Sequence, residues 1–326
     1  MPVLADDDKG PALTIGLVNN MPDAALQATE QQFTSLLHKA SGSRAVRLRK
    51  LSLPGLPRGP QAAASMAAHY ATTDTLGRNR LDGMIVTGCE PRAPALRDEP
   101  YWPALAALCD WAAAHTASTL WSCLAAHAAV LHLDGVERRR LPAKRSGVFA
   151  CEPTGSHPLV EAGGEPMSVP HSRWNDLPEA DLVRAGYTVL TRSPEAGVDL
   201  FVKDRGSSRF VFFQGHPEYE LETVGREYRR DVARFIRGER PDYPGLPRDY
   251  FDSATETAFL AVQQRAIQGS GAGPGAVALR DLPRDPGFRP GLAEGWQATV
   301  VPVFTRWLET LDAKSRTGRQ PASIAA

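Results

Sequence analysis

Short apolar runs alternate with helical patterns through the first half of the chain, and this alternation limits the fold more than any other feature. Leu13–Val18 and Leu81–Val86 predict buried strands, and residues 45–51 alternate as a third strand would. Helical patterns begin near Pro22 and at Trp102. Strands and helices in alternation predict a parallel sheet with helices on both faces.

The second half of the chain is richer in strands and ends in helical patterns. Strands are predicted at residues 147–151, 167–170, 182–190, 200–203 and 209–213, helices at 221–237, 250–267 and 296–311, and a Gly/Pro-rich loop at 269–290. The predicted organisation is an N-terminal tail (1–12), one α/β domain (13–252), a helical C-terminal extension (253–312) and a disordered tail (313–326).

The amino-acid composition limits the kinds of molecule that the protein is expected to bind. Apolar residues make up 42% of the chain and charged residues 23%, which is typical of a soluble globular protein. Lys and Arg number 37, as do Asp and Glu, so no basic field would attract nucleic acid. No apolar run approaches the ~20 residues that cross a membrane, and the acidic N-terminus lacks the apolar core of a signal peptide. We expect a cytoplasmic protein that acts on small molecules and contacts neither nucleic acid nor membrane.

The four cysteines do not form a metal-binding or disulfide pattern. Cys89, Cys109, Cys123 and Cys151 include no Cys-x-x-Cys pair, and we expect free thiols, no metal and no bound cofactor. Cys109 and Cys151 lie in patterns typical of core packing, whereas Cys89 and Cys123 each follow a predicted strand.

Cys123 lies between a predicted strand and a predicted helix. Residues 118–121 form a short apolar run, and small residues in a helical pattern occupy positions 124–131. A sharp turn from strand to helix exposes the side chain at the turn and directs helix N–H groups toward it. Cys123 is therefore a candidate nucleophile, and backbone N–H groups near Leu124 are candidate donors to an oxyanion.

A second motif follows the buried strand predicted at 209–213. His216 and Glu218 lie two residues apart in the run Gly215-His216-Pro217-Glu218. Such a pair suits a general base and the carboxylate that orients it, and an adjacent imidazole favours the thiolate of a cysteine. Because parallel strands end at one edge of a sheet, Cys123 and His216 should converge there. Together they predict acyl transfer through a thioester.

Seven motifs in order resemble the homoserine O-succinyltransferase family across residues 13–252. They are Asn19-Asn20-Met21-Pro22, Thr87-Gly88, the Cys123 turn, Lys144 before Gly147, Pro170-His171-Ser172-Arg173, Gly215-His216-Pro217-Glu218-Tyr219 and Glu227-Tyr228-Arg229-Arg230-Asp231. The resemblance implies an α/β, parallel-sheet, class I glutamine-amidotransferase-like (flavodoxin-like) fold, here with additional strands in the second half and a helical C-terminal extension.

The resemblance also implies a ping-pong reaction in methionine biosynthesis. An acyl group would pass from acyl-CoA, the co-substrate, to Cys123 and then to the γ-hydroxyl of L-homoserine. His216 is implied as the base and Glu218 as its orienting carboxylate. Contacts to the amino acid are implied at Lys144, Ser172 and Arg230. The oligomeric state stays open, a homodimer included.

The chain departs from the family pattern after Thr87-Gly88. Where the family typically has Ala-Pro, an apolar residue and then glycine or glutamate, this chain has Cys89-Glu90-Pro91-Arg92. The last of these positions is associated with the choice of acyl donor. A guanidinium can pair with a carboxylate on the acyl group, so Arg92 favours succinyl-CoA as the donor.

Several alternatives remain open at this stage. Acetyl-CoA could be the donor, and L-serine or another hydroxy amino acid could be the acceptor. The Gln-Gly-His-Pro-Glu run would also suit a glutamine amidotransferase-like hydrolase, although the chain carries no fused synthetase domain. A non-catalytic binding protein on the same scaffold is a further alternative, and the intact Cys, His and Glu set argues against it.

Overall fold

The computed structural model of the chain describes residues 12–268 and 278–319. Its strands are β1 (Leu13–Val18), β2 (Val46–Ser52), β3 (Ala71–Thr72), β4 (Leu81–Val86), β5 (Thr116–Ser122), β6 (Arg139–Pro153), β7 (Met167–Asp176), β8 (Thr188–Val189), β9 (Thr191–Ser193), β10 (Gly197–Val198), β11 (Leu200–Arg205) and β12 (Ser208–Phe213). Its helices are α1 (Leu26–Ser41), α2 (Pro60–His69), α3 (Trp102–His115), α4 (Leu124–Asp134), α5 (Glu179–Arg184), α6 (Thr223–Ile236), α7 (Ser253–Gln268) and α8 (Leu292–Arg319).

The larger sheet has the strand order β3-β2-β1-β4-β5-β12-β11-β8. The first six strands pair in parallel, and β11 and β8 add to the edge in antiparallel pairing. The predicted α/β fold with a parallel sheet is confirmed. Because β1, β4, β5 and β12 run in parallel, their carboxyl ends meet at one edge of the sheet.

Helices cover both faces of this sheet. On one face α3 and α4 pack over buried side chains that include Trp121 and Phe212. On the other face α1 and α8 pack over Leu120 and Phe213, the residues next to Trp121 and Phe212 along β5 and β12. This alternation follows from the two-residue period of a strand. None of the described helices combines the length and the apolar character needed to cross a membrane.

The C-terminal helix α8 is part of the main core. Trp307 is buried there, and its indole N–H donates a 3.0 Å hydrogen bond to the Ser118 hydroxyl of β5. Gly83 on β4 gives α8 room, because a Cβ at this position would lie 2.7 Å from Leu311 Cδ1. The helical extension predicted from residue 253 therefore ends in a helix that closes one face of the sheet.

A smaller sheet, ordered β10-β9-β6-β7, lies in the second half of the chain. Its main feature is the long antiparallel pair of β6 and β7, whose register is irregular between Arg140 and Arg145. Gly147 on β6 has φ 136°, and a Cβ there would lie 2.3 Å from the Arg248 carbonyl oxygen. This close approach requires glycine, and it fixes the strand pair that bears Lys144 and Ser172.

The secondary structure differs in places from the prediction. The run at 182–190 was predicted as one strand but forms the end of α5, a turn at Gly186 (φ 82°) and the short β8. A short apolar run does not distinguish a strand from a helix turn. The helix α2 (Pro60–His69) was not predicted, and α8 continues past residue 313, where a disordered tail was predicted, to Arg319. Residues 1–11, 269–277 and 320–326, which include most of the predicted tails and part of the predicted loop, lie outside the described residues.

Candidate active site

Cys123 occupies a strained turn between β5 and α4. Its φ is 53° and its ψ is −117°, and only Asp249 joins it among the described non-glycine residues with positive φ. Such a conformation costs a residue with a Cβ on the order of 1–3 kcal/mol. Hydrogen bonds hold it, because the Cys123 N–H donates to the Phe213 carbonyl at 2.8 Å and the Cys123 carbonyl accepts from Ala126 at 3.0 Å. The predicted strand–cysteine–helix turn is present.

The backbone beside the sulfur is open to a ligand. Leu124 is the first residue of α4, and the first N–H groups of a helix have no intrahelical acceptor. A Cβ on Gly88 would lie 2.9 Å from the Leu124 nitrogen, so glycine leaves space in front of this N–H group. An oxygen atom bonded to an acylated Cys123 could occupy that space and accept the hydrogen bond.

His216 and Glu218 form a buried pair. The His216 Nδ1 atom lies 2.9 Å from Glu218 Oε1, and the two side chains are 6% and 3% exposed. The His216 backbone N–H donates to the Pro170 carbonyl at 2.8 Å, and the imidazole stacks on Tyr219 with ring centroids 4.1 Å apart. The carboxylate thus holds the proton on Nδ1 and leaves Nε2 for chemistry.

Charge around His216 favours its protonated form. Burial alone opposes an imidazolium, but the negative charges of Cys123 and Glu218 outweigh burial and raise the pKa of His216 well above its ordinary value. An imidazolium at His216 beside Cys123 is the arrangement that activates cysteine nucleophiles.

A cleft of about 520 Å³ opens over Cys123 at the carboxyl edge of the larger sheet. Most of the predicted site residues line it, namely Cys123, Leu124, Lys144, Ser172, His216 and Arg230. Glu218 is buried and reaches the cleft through His216, to which it bonds.

Arg92 does not join this group. Its side chain is exposed and does not line the cleft, and the Glu99 carboxylate accepts hydrogen bonds from the backbone N–H groups of Arg92 and Ala93 at 2.5 and 2.7 Å. The role of Arg92 in the choice of donor stays a prediction. Cys89, three residues earlier, does line the cleft, and burial raises the pKa of its thiol to about 12.

Opposite charges meet on the side of the cleft formed by α6. Lys144 Nζ lies 2.7 Å from Asp231 Oδ2, and Arg230 Nη2 lies 3.5 Å from Asp231 Oδ1. Burial raises the pKa of Asp231, but Lys144, Arg230 and Arg240 together outweigh burial and lower it. The side chain of Arg230 is 46% exposed, so its guanidinium can also meet a ligand.

Glu227 also faces this cleft and was assigned no role from the sequence. Its Oε1 accepts a 3.1 Å hydrogen bond from the Tyr219 hydroxyl, whereas its Oε2 is buried and has no hydrogen-bond partner among the described residues. A buried carboxylate oxygen without a donor suits an ammonium group on a ligand. In sequence, Glu227 lies in a run dense with charge, which is more typical of a solvated helix face.

Cys151, His171 and Asp199 form a second, fully buried group, with candidate ligand atoms within 4.8 Å of one another. His171 Nδ1 accepts a hydrogen bond from Arg173 Nε at 3.1 Å, so its Nε2 carries the proton and faces Asp199 Oδ1 at 3.4 Å. Asp199 Oδ1 also accepts the Gly215 N–H at 2.9 Å, and burial raises the pKa of Asp199 to about 6. Through the Gly215 N–H, this buried group supports the loop that holds His216. None of its three residues lines the cleft.

A parallel sheet that brings a strained cysteine and a buried His–Glu pair to one cleft defines an α/β protein with a candidate cysteine nucleophile. The family model for homoserine O-succinyltransferase matches residues 3–310. The homoserine O-succinyltransferase of Rhodopseudomonas palustris is 52% identical over 92% of this chain and 88% of its own length. That of Methylorubrum extorquens is 48% identical over 91% and 86%. The chain belongs to the homoserine O-succinyltransferase family, and the predicted resemblance is confirmed.

A solved structure also resembles the chain. A glutamine amidotransferase from Thermotoga maritima aligns with a TM-score of 0.49 at 10% sequence identity, covering 93% of this chain and 99% of that one.

Proposed function

We propose that this chain transfers a succinyl group from succinyl-CoA to the γ-hydroxyl of L-homoserine, as a cytoplasmic step of methionine biosynthesis. The observation that carries the proposal is the strained Cys123 beside the buried His216–Glu218 pair at the base of an open cleft. Membership of the homoserine O-succinyltransferase family supports both the acyl group and the acceptor.

In the first half-reaction the Cys123 thiolate attacks the thioester carbonyl of succinyl-CoA. The Leu124 N–H stabilises the tetrahedral oxyanion, and one such donor is commonly worth about 3 kcal/mol. The bond from the carbonyl carbon to the CoA sulfur then breaks. His216 gives its Nε2 proton to the departing CoA thiolate, which leaves succinyl-Cys123 and a neutral imidazole.

In the second half-reaction the neutral His216 accepts the hydroxyl proton of homoserine as its oxygen attacks the acyl carbon. Collapse of the second tetrahedral intermediate releases Cys123 as a thiolate and forms the O-succinyl ester. Glu218 keeps the imidazole in the required tautomer and stabilises the imidazolium. Each half-reaction ends with Cys123 and His216 in the protonation states in which the other half-reaction begins, so the cycle consumes no external acid or base.

The acceptor would bind on the α6 side of the cleft. The partly exposed Arg230 suits the α-carboxylate of homoserine, and the unpartnered Glu227 Oε2 suits its α-ammonium group. Lys144 and Ser172 line the same cleft, and Lys144 is held by Asp231, so it would act on the acceptor as part of that ion-pair network.

Mass spectrometry tests the proposal. Enzyme mixed with succinyl-CoA in the absence of acceptor should gain one succinyl group on the Cys123 peptide, and L-homoserine should discharge it as O-succinylhomoserine. Cys123→Ser should lose the adduct, whereas Cys89→Ser, a change at another cleft thiol, should keep it. An adduct on another residue, discharge to water alone, faster acylation by acetyl-CoA, or preferential discharge by L-serine would contradict the proposal.

A further inference from the structure

Most cationic side chains of the cleft already have an anionic partner. The pairs are Lys144–Asp231, Arg173–Asp176, Arg226–Glu222, Arg230–Asp231 and Arg234–Glu90. Arg140 is exposed, and its guanidinium stacks over the Trp174 ring at 4.3 Å. Arg138 is different, because no residue within 12–268 or 278–319 gives it a hydrogen bond, an ion pair or a ring contact.

Arg138 is also partly withdrawn from water. It is half-buried in the cleft wall, and this burial lowers the pKa of its guanidinium. A charge that loses water without gaining a counterion costs free energy, and proteins retain such groups where a ligand supplies the counterion. Arg138 therefore has the properties expected of a binding site for an anionic group.

Arg138 lies on the nucleophile's side of the cleft. The groups whose charge influences the pKa of Arg138 are Tyr101, Arg140, Cys123 and Glu99. None of these belongs to the group around Asp231, which Lys144, Arg230 and Arg240 surround. Glu99 attracts Arg138 electrostatically but forms no ion pair with it, and its Oε1 accepts the backbone N–H groups of Arg92 and Ala93 instead. An anion at Arg138 would thus lie beside an acyl group on Cys123 and apart from the acceptor.

We propose that Arg138 binds the free carboxylate of the succinyl group and sets the preference for a dicarboxylic acyl donor. The inference rests on the proposed function and assigns a specificity-determining residue within it. The planar guanidinium can donate two parallel hydrogen bonds to a carboxylate, and an acetyl or butyryl group offers it no acceptor at that position. Arg92, which the sequence favoured for this role, is exposed outside the cleft.

The test compares succinyl-CoA with butyryl-CoA, whose acyl chain has the same length but ends in a methyl group. Arg138→Ala should lower kcat/KM for succinyl-CoA by roughly tenfold to a hundredfold and change kcat/KM for butyryl-CoA little. Arg138→Lys should recover part of the succinyl preference, because a point charge replaces the two-pronged donor. Arg92→Ala separates the two assignments, because an unchanged succinyl-to-butyryl ratio there, with a fall in Arg138→Ala, would assign the donor preference to Arg138.

The rate of Cys123 acylation without acceptor gives a second readout for each variant. A wild-type protein that acylates Cys123, with equal succinyl-to-butyryl ratios in wild type and Arg138→Ala, would overturn the Arg138 assignment alone. An equal loss with both donors, or a fall in the ratio in Arg92→Ala instead, would also overturn it. If Arg138→Ala does not fold, Arg138→Gln gives the same comparison with the side-chain length kept. A wild type that acylates with neither donor would refute the proposed function itself.

Discussion

The Tyr219 hydroxyl donates a 3.1 Å hydrogen bond to Glu227 Oε1, while the Tyr219 ring stacks on His216 at 4.1 Å. One side chain thus contacts both the proposed base and the carboxylate proposed for the acceptor's ammonium group. The Tyr219 carbonyl is itself fixed, because it accepts a 2.9 Å hydrogen bond from the Trp296 indole of α8. The C-terminal helix therefore supports the acceptor side of the site.

Tyr219→Phe should separate the two contacts. The ring stack with His216 would remain, but Glu227 would lose its donor and its fixed orientation. We expect the KM for homoserine to rise by roughly tenfold, since a hydrogen bond to a charged group is worth about 1.5–3 kcal/mol. Acylation of Cys123 by succinyl-CoA should stay near the wild-type rate. Steady-state kinetics and a single-turnover acylation assay check both parts, and slowed acylation would contradict the prediction.

Arg230→Ala should weaken binding of the acceptor and spare the acyl-CoA half-reaction. The loss of one charge-assisted hydrogen bond to the α-carboxylate would cost about 1.5–3 kcal/mol in kcat/KM for homoserine. Arg237→Ala is the matched control, because Arg237 follows the same helix, pairs with Glu239 and does not line the cleft. Equal acceptor KM values in the two variants would mean that Arg230 belongs to a solvated helix face.

Gly88→Ala should obstruct the oxyanion position. The added Cβ would lie 2.9 Å from the Leu124 nitrogen, in the space that an acyl oxygen would need. We expect kcat for acylation to fall by about a hundredfold, the usual cost of losing one oxyanion donor. Gly245→Ala serves as the control, since a Cβ there meets no atom within 4 Å. If Gly88→Ala acylates Cys123 at the wild-type rate, the oxyanion does not bind at Leu124.

The sequence alone predicted those parts of the site whose geometry depends on residues close together in the chain. The Cys123 turn follows from a strand directly before it and a helix directly after it, and the His216–Glu218 pair spans two residues. The parallel sheet then brings the two motifs together, because β5 and β12 are adjacent strands. Periodicity along the chain therefore predicted the parallel sheet and the convergence of Cys123 and His216 at one edge of it, while the nucleophilic role of Cys123 stays a prediction.

Residues whose role depends on distant partners were not predictable in this way. Arg138 is distinguished only by its surroundings, which leave its guanidinium unpaired in the wall of the cleft. Arg92 lies outside the cleft, in a loop where its backbone N–H donates a hydrogen bond to Glu99. Glu227 is distinguished by an oxygen that packing leaves without a donor. Charge-dense runs in a sequence do not reveal which members are buried, and burial separates a ligand-binding charge from a solvated one.

His127 should make the protein less stable in mild acid. It is fully buried in α4, its Nε2 lies 3.0 Å from Gln214 Oε1, and burial lowers its pKa from 6.5 to about 3. As the pH falls below 6.5, the unfolded chain binds a proton at this histidine and the folded chain does not. The free energy of unfolding should therefore drop by about 1.4 kcal/mol per pH unit between pH 6 and pH 4 through this residue alone.

His127→Gln should remove this contribution while keeping a side chain that can reach Gln214. Other buried groups that titrate in the same range, such as His171 and Asp199, are common to both proteins, so their effects cancel in the difference. Urea unfolding at pH 7 and pH 5 gives the measurement. Relative to wild type, the variant should gain about 2 kcal/mol between the two conditions. Parallel stability curves would mean that the folded protein can protonate His127, and that its burial does not control its charge.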